Sequence, residues 1–80
     1  MHNAFEEIAG GKRSLHVQVA REIARKILSG EVAQNEIIPG EMILCGQFKV
    51  SRTSLREAIK LLTSKGLLES KPKVGTRVTS

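Results

Sequence analysis

Two helix-forming segments joined by only three residues constrain the fold of this chain more than any other feature. The first segment, residues 41–48, places Leu44, Cys45 and Phe48 on the side that would face a core. Residues 49–51 leave room only for a tight turn, so a second helix must begin directly after it. The first of the two helices is short, and it therefore depends on tertiary packing for its stability.

The second helix has two chemically distinct sides. Ser51 is a favourable N-cap, and the helix is predicted to run to about Lys65. On a helical wheel its apolar side consists of Leu55, Ala58, Ile59 and Leu62. Its opposite side consists of Arg52, Thr53, Arg56 and Lys60. Arg56 and Lys60 are like charges one turn apart, which costs roughly 0.2–0.5 kcal/mol unless an anion neutralises them. From this helix alone, a phosphate-facing surface and a merely solvated basic face fit equally well.

A longer helix is predicted ahead of this pair, over residues 15–29. Its apolar residues recur at helical spacing and form one stripe: Val19, Ala20, Ile23, Ala24, Ile27 and Leu28. Ser14 is placed to cap its start, and Gly30 is placed to end it. Residues 1–13 contain Gly10-Gly11 and show no sustained period, and they are predicted to form an N-terminal arm. The folded domain is therefore assigned to residues 14–80.

After Gly66, which is expected to end the third helix, the pattern changes to that of strands. Residues 67–71 and 76–78 can form two strands joined by a turn over residues 72–75. A lone hairpin is only marginally stable in water, so it must pack on the helices. The predicted fold class is therefore mainly α with a small β part. It is a three-helix winged helix-turn-helix with a C-terminal two-stranded β-hairpin wing.

The charge of the chain is divided unevenly along its length. Residues 1–48 carry five basic and six acidic side chains, whereas residues 49–80 carry eight basic and two acidic ones. A basic half of this kind suits a polyanion, most often nucleic acid. The chain has two Phe and neither Trp nor Tyr, so stacking on single-stranded bases is disfavoured. Double-stranded DNA is the expected partner.

Several other classes of protein are disfavoured by the same sequence. A domain of 80 residues buries only about 60% of its unfolded surface, which makes a deep catalytic cleft hard to build. No nucleophile, base and oxyanion set is recognisable, so the chain is predicted not to be an enzyme and to need no cofactor or metal in this domain. Cys45 is alone, which excludes a disulfide framework. No signal peptide or membrane span is recognisable, and a cytoplasmic location is predicted.

The predicted helix pair points to a way of reading DNA. A short helix, a tight turn and a longer Ser-capped helix present the N-terminus of that second helix to the major groove. There Arg52 could donate to guanine O6 and N7, while Ser51 and Thr53 could reach phosphate oxygens. The recognition helix would cover about residues 51–65. The wing, about residues 71–77, would lie at the minor groove or the backbone.

These residues resemble the GntR family of bacterial transcription regulators. The resemblance is carried by the run S-R-T-S-L-R-E-A of residues 51–58 and by the wing sequence of residues 72–78, and it extends over roughly residues 12–78. It looks closest to the FadR-type branch. The resemblance implies DNA contacts by Ser51, Arg52, Thr53, Ser54 and Arg56, and by the wing tip at Lys73. Gly75, within the wing motif, is assigned to the same DNA-binding set and is explained by the backbone conformation of the turn.

The chain departs from the family pattern at one position of its second helix. The family often has an arginine where this chain has Met42, and that arginine reaches DNA. The resemblance therefore implies one missing contact, and base reading should rest more heavily on Arg52 and Arg56.

The resemblance also implies a larger assembly. Regulators of this kind bind a palindromic operator as homodimers, and a further domain binds a small-molecule effector. Such an effector domain is absent from these 80 residues. The resemblance nevertheless implies that the regulator responds to a metabolite and is commonly a repressor.

An alternative function remains open at this point: a winged-helix protein-interaction module that uses its basic face on an acidic partner. The short polar donors of Ser51, Thr53 and Ser54 at a helix N-terminus argue against it. Glu57 is expected to position Lys60 or a neighbouring backbone group and not to act in acid–base catalysis.

Overall fold

The computed structural model describes the backbone of residues 4–80 and the side chains of residues 15–80. Over this range the chain forms three helices and one two-stranded antiparallel sheet. In chain order these elements are α1 (Ala4–Leu28), α2 (Glu41–Phe48), α3 (Arg52–Ser64), β1 (Leu68–Lys71) and β2 (Gly75–Val78). The architecture confirms the predicted winged helix-turn-helix class, with the β1–β2 hairpin as the wing.

The first helix is longer than the sequence predicted. It begins at Ala4, so the predicted start at residue 15 is wrong, and Ser14 lies inside the helix instead of capping it. The Gly10-Gly11 pair suggested a loop, but glycine only lowers helix propensity, by about 1 kcal/mol each, and does not by itself end a helix. Residues 1–3 of the predicted N-terminal arm lie outside the described residues. None of the described helices is both long and apolar enough to cross a membrane.

The core lies where α1, α3 and the hairpin meet. Its buried residues are all apolar: Val19, Ala20, Ile23, Ile38, Leu44, Leu55, Ala58, Leu62, Leu68 and Val78. The predicted stripe of α1 is confirmed except at Leu28, which is exposed because the helix ends there and the chain turns at Gly30. Among residues 15–80 no polar or charged residue is buried. The polar groups available for function therefore lie on the surface.

A left-handed residue joins α2 to α3. Lys49 has a φ of 57°, and its backbone N–H donates to the carbonyl of Cys45, which ends α2. Ser51 is extended, and its hydroxyl accepts the backbone N–H of Ser54 at 3.1 Å. This bond confirms Ser51 as the N-cap of α3. The two helices are thus joined directly by a turn of three residues, 49–51.

The hairpin is held on two sides of β2. On one side β1 pairs with β2 from Leu68↔Val78 to Lys71↔Gly75. On the other side the segment before α2 adds backbone bonds, among them the Ile38 N–H to the Thr76 carbonyl at 2.9 Å. The wing is therefore tied both to the core and to the start of the helix pair.

Candidate nucleic-acid interface

The N-terminal half of α3 presents the side chains that the sequence assigned to DNA binding. Arg52, Thr53 and Arg56 are exposed, and the side chains of the two arginines are 66% and 62% accessible. Leu55 and Ala58, on the opposite side of the same turns, are completely buried. The core thus fixes which side of α3 faces outward, and it is the basic side.

Ser51 and Ser54 have a local role in addition to the predicted one. The Ser51 hydroxyl accepts from the Ser54 backbone N–H and also lies 3.2 Å from the Ser54 hydroxyl, to which it donates. Both hydroxyls are therefore engaged in starting the helix. Ser51 uses its proton in this bond, whereas the Ser54 hydroxyl only accepts, so the Ser54 O–H can still donate to an incoming phosphate. Thr53 is exposed, whereas Ser54 is only partly accessible.

A carboxylate that the sequence analysis did not single out lies between the two arginines. Glu41, the first residue of α2, accepts from Arg56 Nε at 2.7 Å and from Arg56 Nη2 at 3.3 Å. Arg52 Nε lies 3.2 Å from the same carboxylate. The hydrogen bond from Arg56 is the main cause of a lowered pKa for Glu41, and the charge of Arg52 contributes in the same direction. The carboxylate therefore stays ionised at neutral pH.

Lys60 continues the basic side of α3 one turn beyond Arg56. Its side chain is 77% accessible, and its Nζ lies 3.8 Å from Glu57 Oε2. This distance confirms the expected pairing of Glu57 with Lys60. An exposed pair at this separation leaves the lysine free to reorient toward a stronger anion.

The wing places one exposed cation at its tip. Lys73 is exposed and has a φ of 67°, in a turn closed by the Val74 N–H donating to the Lys71 carbonyl at 3.1 Å. Gly75 has a φ of 120°, and a Cβ there would meet Ile37 Cγ2 at an ordinary 3.5 Å. Its backbone conformation, and not lack of space, therefore calls for glycine at this position.

Arg77 is the basic residue of β2. Its Nη2 lies 2.8 Å from Glu69 Oε2 on the neighbouring strand, and both side chains are about one-third accessible. The pair lies across the sheet, so Arg77 supports the hairpin instead of extending from it.

An open groove separates α3 from the wing. It has a volume of about 480 Å³ and is lined by Arg56 and Lys60 on the helix side and by Val74, Gly75 and Thr76 on the wing side. The two elements assigned to DNA binding thus share one concave surface.

Met42 and Ile43 are exposed beside Glu41, at 83% and 57%. Two solvent-facing aliphatic side chains therefore occupy the start of α2, at the position where the resemblance implied a missing arginine contact.

A short helix, a tight turn, a capped helix with an outward basic N-terminal half and a packed hairpin define a winged helix-turn-helix domain. Residues 15–78 match the family model of bacterial regulatory proteins of the gntR family. The chain belongs to that family. The FadR-like branch stays a prediction.

Named relatives agree with this membership. The chain is 46% identical over 67 residues to the uncharacterised HTH-type transcriptional regulator YieP of Escherichia coli (strain K12), covering 84% of this chain and 29% of YieP. It is 35% identical over 68 residues to the mannosyl-D-glycerate transport/metabolism system repressor MngR of the same organism, covering 85% of this chain and 28% of MngR. The chain thus spans less than one-third of the length of either relative.

A solved structure has the same fold. The crystal structure of the AraR DBD in complex with operator ORR3 superposes with a TM-score of 0.77 at 42% sequence identity, covering 81% of this chain and 78% of the AraR chain.

Proposed function

We propose that this domain binds double-stranded DNA sequence-specifically, as the operator-reading domain of a bacterial transcription regulator. The observation that carries the proposal is the orientation of α3. Its buried apolar side fixes the helix on the core, and its N-terminal half presents Arg52 and Arg56 outward. An exposed helix N-terminus with arginines is suited to the major groove, because the free N–H groups and the helix dipole attract phosphate there.

The groove between α3 and the wing supports a two-groove arrangement on DNA. One sugar-phosphate strand separates the major groove from the minor groove, so a helix in the first and a hairpin in the second must enclose that strand. The groove is open and has basic side chains, Arg56 and Lys60, on its helix wall. We therefore place the phosphates of one strand near Lys60 on this wall, and Lys73 at the minor groove or the adjacent backbone.

Individual residues receive distinct roles in this arrangement. Arg52 and Arg56 are assigned to base edges, since a guanidinium can donate two parallel bonds to guanine. Thr53 is assigned to a phosphate, and Ser51 and Ser54 to the helix start that orients these groups, with any phosphate contact of their own secondary. Gly75 permits the turn that presents Lys73.

The proposal extends to the longer regulator to which this domain would belong. Such a regulator would be a cytoplasmic homodimer on a palindromic operator, and a further domain would bind a small-molecule effector. MngR is named as a repressor, and the AraR DBD was crystallised in complex with an operator; both support repression through operator binding. The DNA-binding domain itself needs no cofactor and no catalytic group.

Salt dependence tests DNA binding directly. Affinity for a short random duplex is measured by fluorescence anisotropy over a series of NaCl concentrations. A reader of duplex DNA releases counterions, so log K against log salt should fall with a slope of several units. Absence of binding at low salt would contradict the proposal and favour the alternative, an interaction module whose basic face meets an acidic protein.

The assignment of the recognition helix has its own test. We expect Arg52→Ala to reduce discrimination between a selected site and random duplex, because a bidentate base contact discriminates by about 1–3 kcal/mol. Lys73→Ala should instead weaken binding to both duplexes by a similar factor, because a backbone contact carries little sequence information. Equal affinity and equal discrimination in Arg52→Ala and the wild type would show that α3 is not the reading element.

A further inference from the structure

The ion pairs of Glu41 have a geometry that bears on how the arginines can be used. Arg56 is held along one side of its guanidinium, through Nε and Nη2. A guanidinium has five N–H donors in a fixed planar fork. Binding through Nε and Nη2 leaves the outer edge, with Nη1 and the second hydrogen of Nη2, free to donate. That outer edge is the one that can donate two parallel bonds to an acceptor beyond the protein surface.

The accessibilities of the three side chains agree with this arrangement. Glu41 is 37% accessible, whereas Arg52 and Arg56 are 66% and 62% accessible. The carboxylate is therefore the least accessible of the three charged groups, and both arginines extend further into solvent. It belongs to α2, while both arginines belong to α3. The contact thus fixes the arginines relative to a second, separately packed helix.

The same carboxylate also changes the electrostatics of the surface. Arg52 and Arg56 are one helical turn apart, and like charges at this spacing repel. Glu41 removes part of this repulsion and places a negative charge where two free arginines would otherwise attract any phosphate. Because non-specific binding is driven by phosphate neutralisation, a carboxylate here should weaken it.

We propose that Glu41 is a positioning residue for sequence selectivity: it holds the outer edges of Arg52 and Arg56 toward base edges and disfavours their capture by phosphates. The inference rests on the proposed function and goes beyond it, because it assigns the discrimination between operator and random DNA partly to an anion within the interface. Glu41 itself touches no base in this mechanism.

The experiment compares the full 80-residue chain with three variants, after a duplex has been selected from a randomised pool by the wild type. In Glu41→Gln we expect tighter binding to random duplex and a salt slope steeper by about one unit, because one more phosphate can be neutralised. The ratio of affinities for selected and random duplex should fall about tenfold, the size of one good bidentate contact.

Two further variants separate positioning from charge. Glu57→Gln removes the same charge from the same surface but leaves Arg52 and Arg56 paired, so both affinities should rise together and the ratio should stay constant. Glu41→Asp keeps the charge but has a shorter side chain that cannot reach both arginines as well. The ratio of affinities for selected and random duplex should therefore fall, while the salt slope stays near that of the wild type. Both positions, Glu41 and Glu57, form exposed ion pairs, which contribute little to folding, so the three variants should remain folded.

A readout without DNA tests the geometry itself. In nitrogen-edited proton spectra of the free chain, the Nε–H signals of Arg52 and Arg56 should shift in both Glu41 variants and not in Glu57→Gln. An unchanged affinity ratio in Glu41→Gln, or an equal fall in Glu57→Gln, would overturn the inference while leaving DNA binding intact. If the wild type enriches no sequence from the pool, the proposed function fails, and this inference fails with it.

Discussion

At the scale of single residues, Lys73 adopts a backbone conformation that its side chain disfavours. Its φ of 67° lies in the left-handed region, which costs roughly 1–2 kcal/mol for a residue with a Cβ. Glycine would adopt it freely, yet this position at the wing tip carries a long cation. Lys73 thus combines a conformational cost with an exposed positive charge at the wing tip.

Lys73→Gly should therefore separate stability from binding. We expect the free energy of unfolding to stay equal or to rise by up to about 1 kcal/mol, because the strain is relieved although the unfolded chain gains entropy. Affinity for duplex DNA should fall, since the cation is lost. Urea denaturation and fluorescence anisotropy measure the two effects.

Lys49 provides the control for the stability part of this prediction. It has a φ of 57° at the end of α2, so Lys49→Gly relieves the same kind of strain away from the wing. Both variants should show a similar change in unfolding midpoint. A clear loss of stability in Lys73→Gly, together with unchanged DNA affinity, would contradict the role given to the wing tip.

The sequence predicted the role of a residue correctly where its interaction partner lies close by along the chain. Ser51 was identifiable as a cap because its partner, the Ser54 N–H, lies within the same helical turn. Glu41 was missed because its partners are on another helix, and Arg56 is 15 residues away along the chain. No periodicity links such positions, since the contact depends on how α2 and α3 pack.

At the scale of secondary-structure elements, the start of α3 is the critical boundary. Ser51→Ala should lower the free energy of unfolding by about 1 kcal/mol, because the Ser54 N–H loses its acceptor at the helix N-terminus. Chemical denaturation measures this difference. Discrimination between selected and random duplex should also decrease, since Arg52 lies in the turn that the cap organises.

Ser51→Asp is the matched variant for this boundary. An aspartate can accept the same N–H and favours the positive end of the helix, so stability should be preserved. Binding to DNA should nevertheless weaken, because the new charge faces phosphates. If alanine and aspartate destabilised the domain equally, the hydroxyl of Ser51 would not be the cap that stabilises α3.

Most element boundaries followed from residue patterns. The predicted limits of α2 agree with Glu41–Phe48, and α3 ends at Ser64, close to the predicted Lys65. The start of α1 was wrong because two consecutive glycines resemble a loop signal. The bridge between Ile37 and Arg77 was also missed, since pairing between segments so far apart leaves no local pattern.

At the scale of the whole molecule, exposed ion pairs determine the response to acid. Among residues 15–80, four carboxylates have a lowered pKa, in each case mainly because an arginine or lysine side chain donates a hydrogen bond to them: Glu22, Glu31, Glu41 and Glu69. A carboxylate whose pKa is lowered in the folded state contributes stability at pH values above its pKa in the unfolded chain. This contribution is lost as the pH falls through its pKa in the folded state.

The free energy of unfolding should therefore be nearly constant from pH 7 down to about pH 5. It should decrease once the pH falls below 4.5, the ordinary pKa of a glutamate. Urea denaturation at a series of pH values measures it. Because all four groups are on the surface, high salt should reduce the acid effect. Stability that increased on acidification would show that these pairs do not form in solution.

The two-sided pairing of β2 has a consequence for how copies of this domain can meet. An unpaired strand edge readily accepts a strand from another chain and is a common route to aggregation. Here the interior strand of the hairpin is β2, which has hydrogen-bonded neighbours on both sides. The open edge belongs to β1, which is short and carries Glu69 and Lys71, and charges of this kind discourage intermolecular pairing. Pairing of two such domains through the edge of this sheet is therefore disfavoured, which leaves the wing free for a separate role.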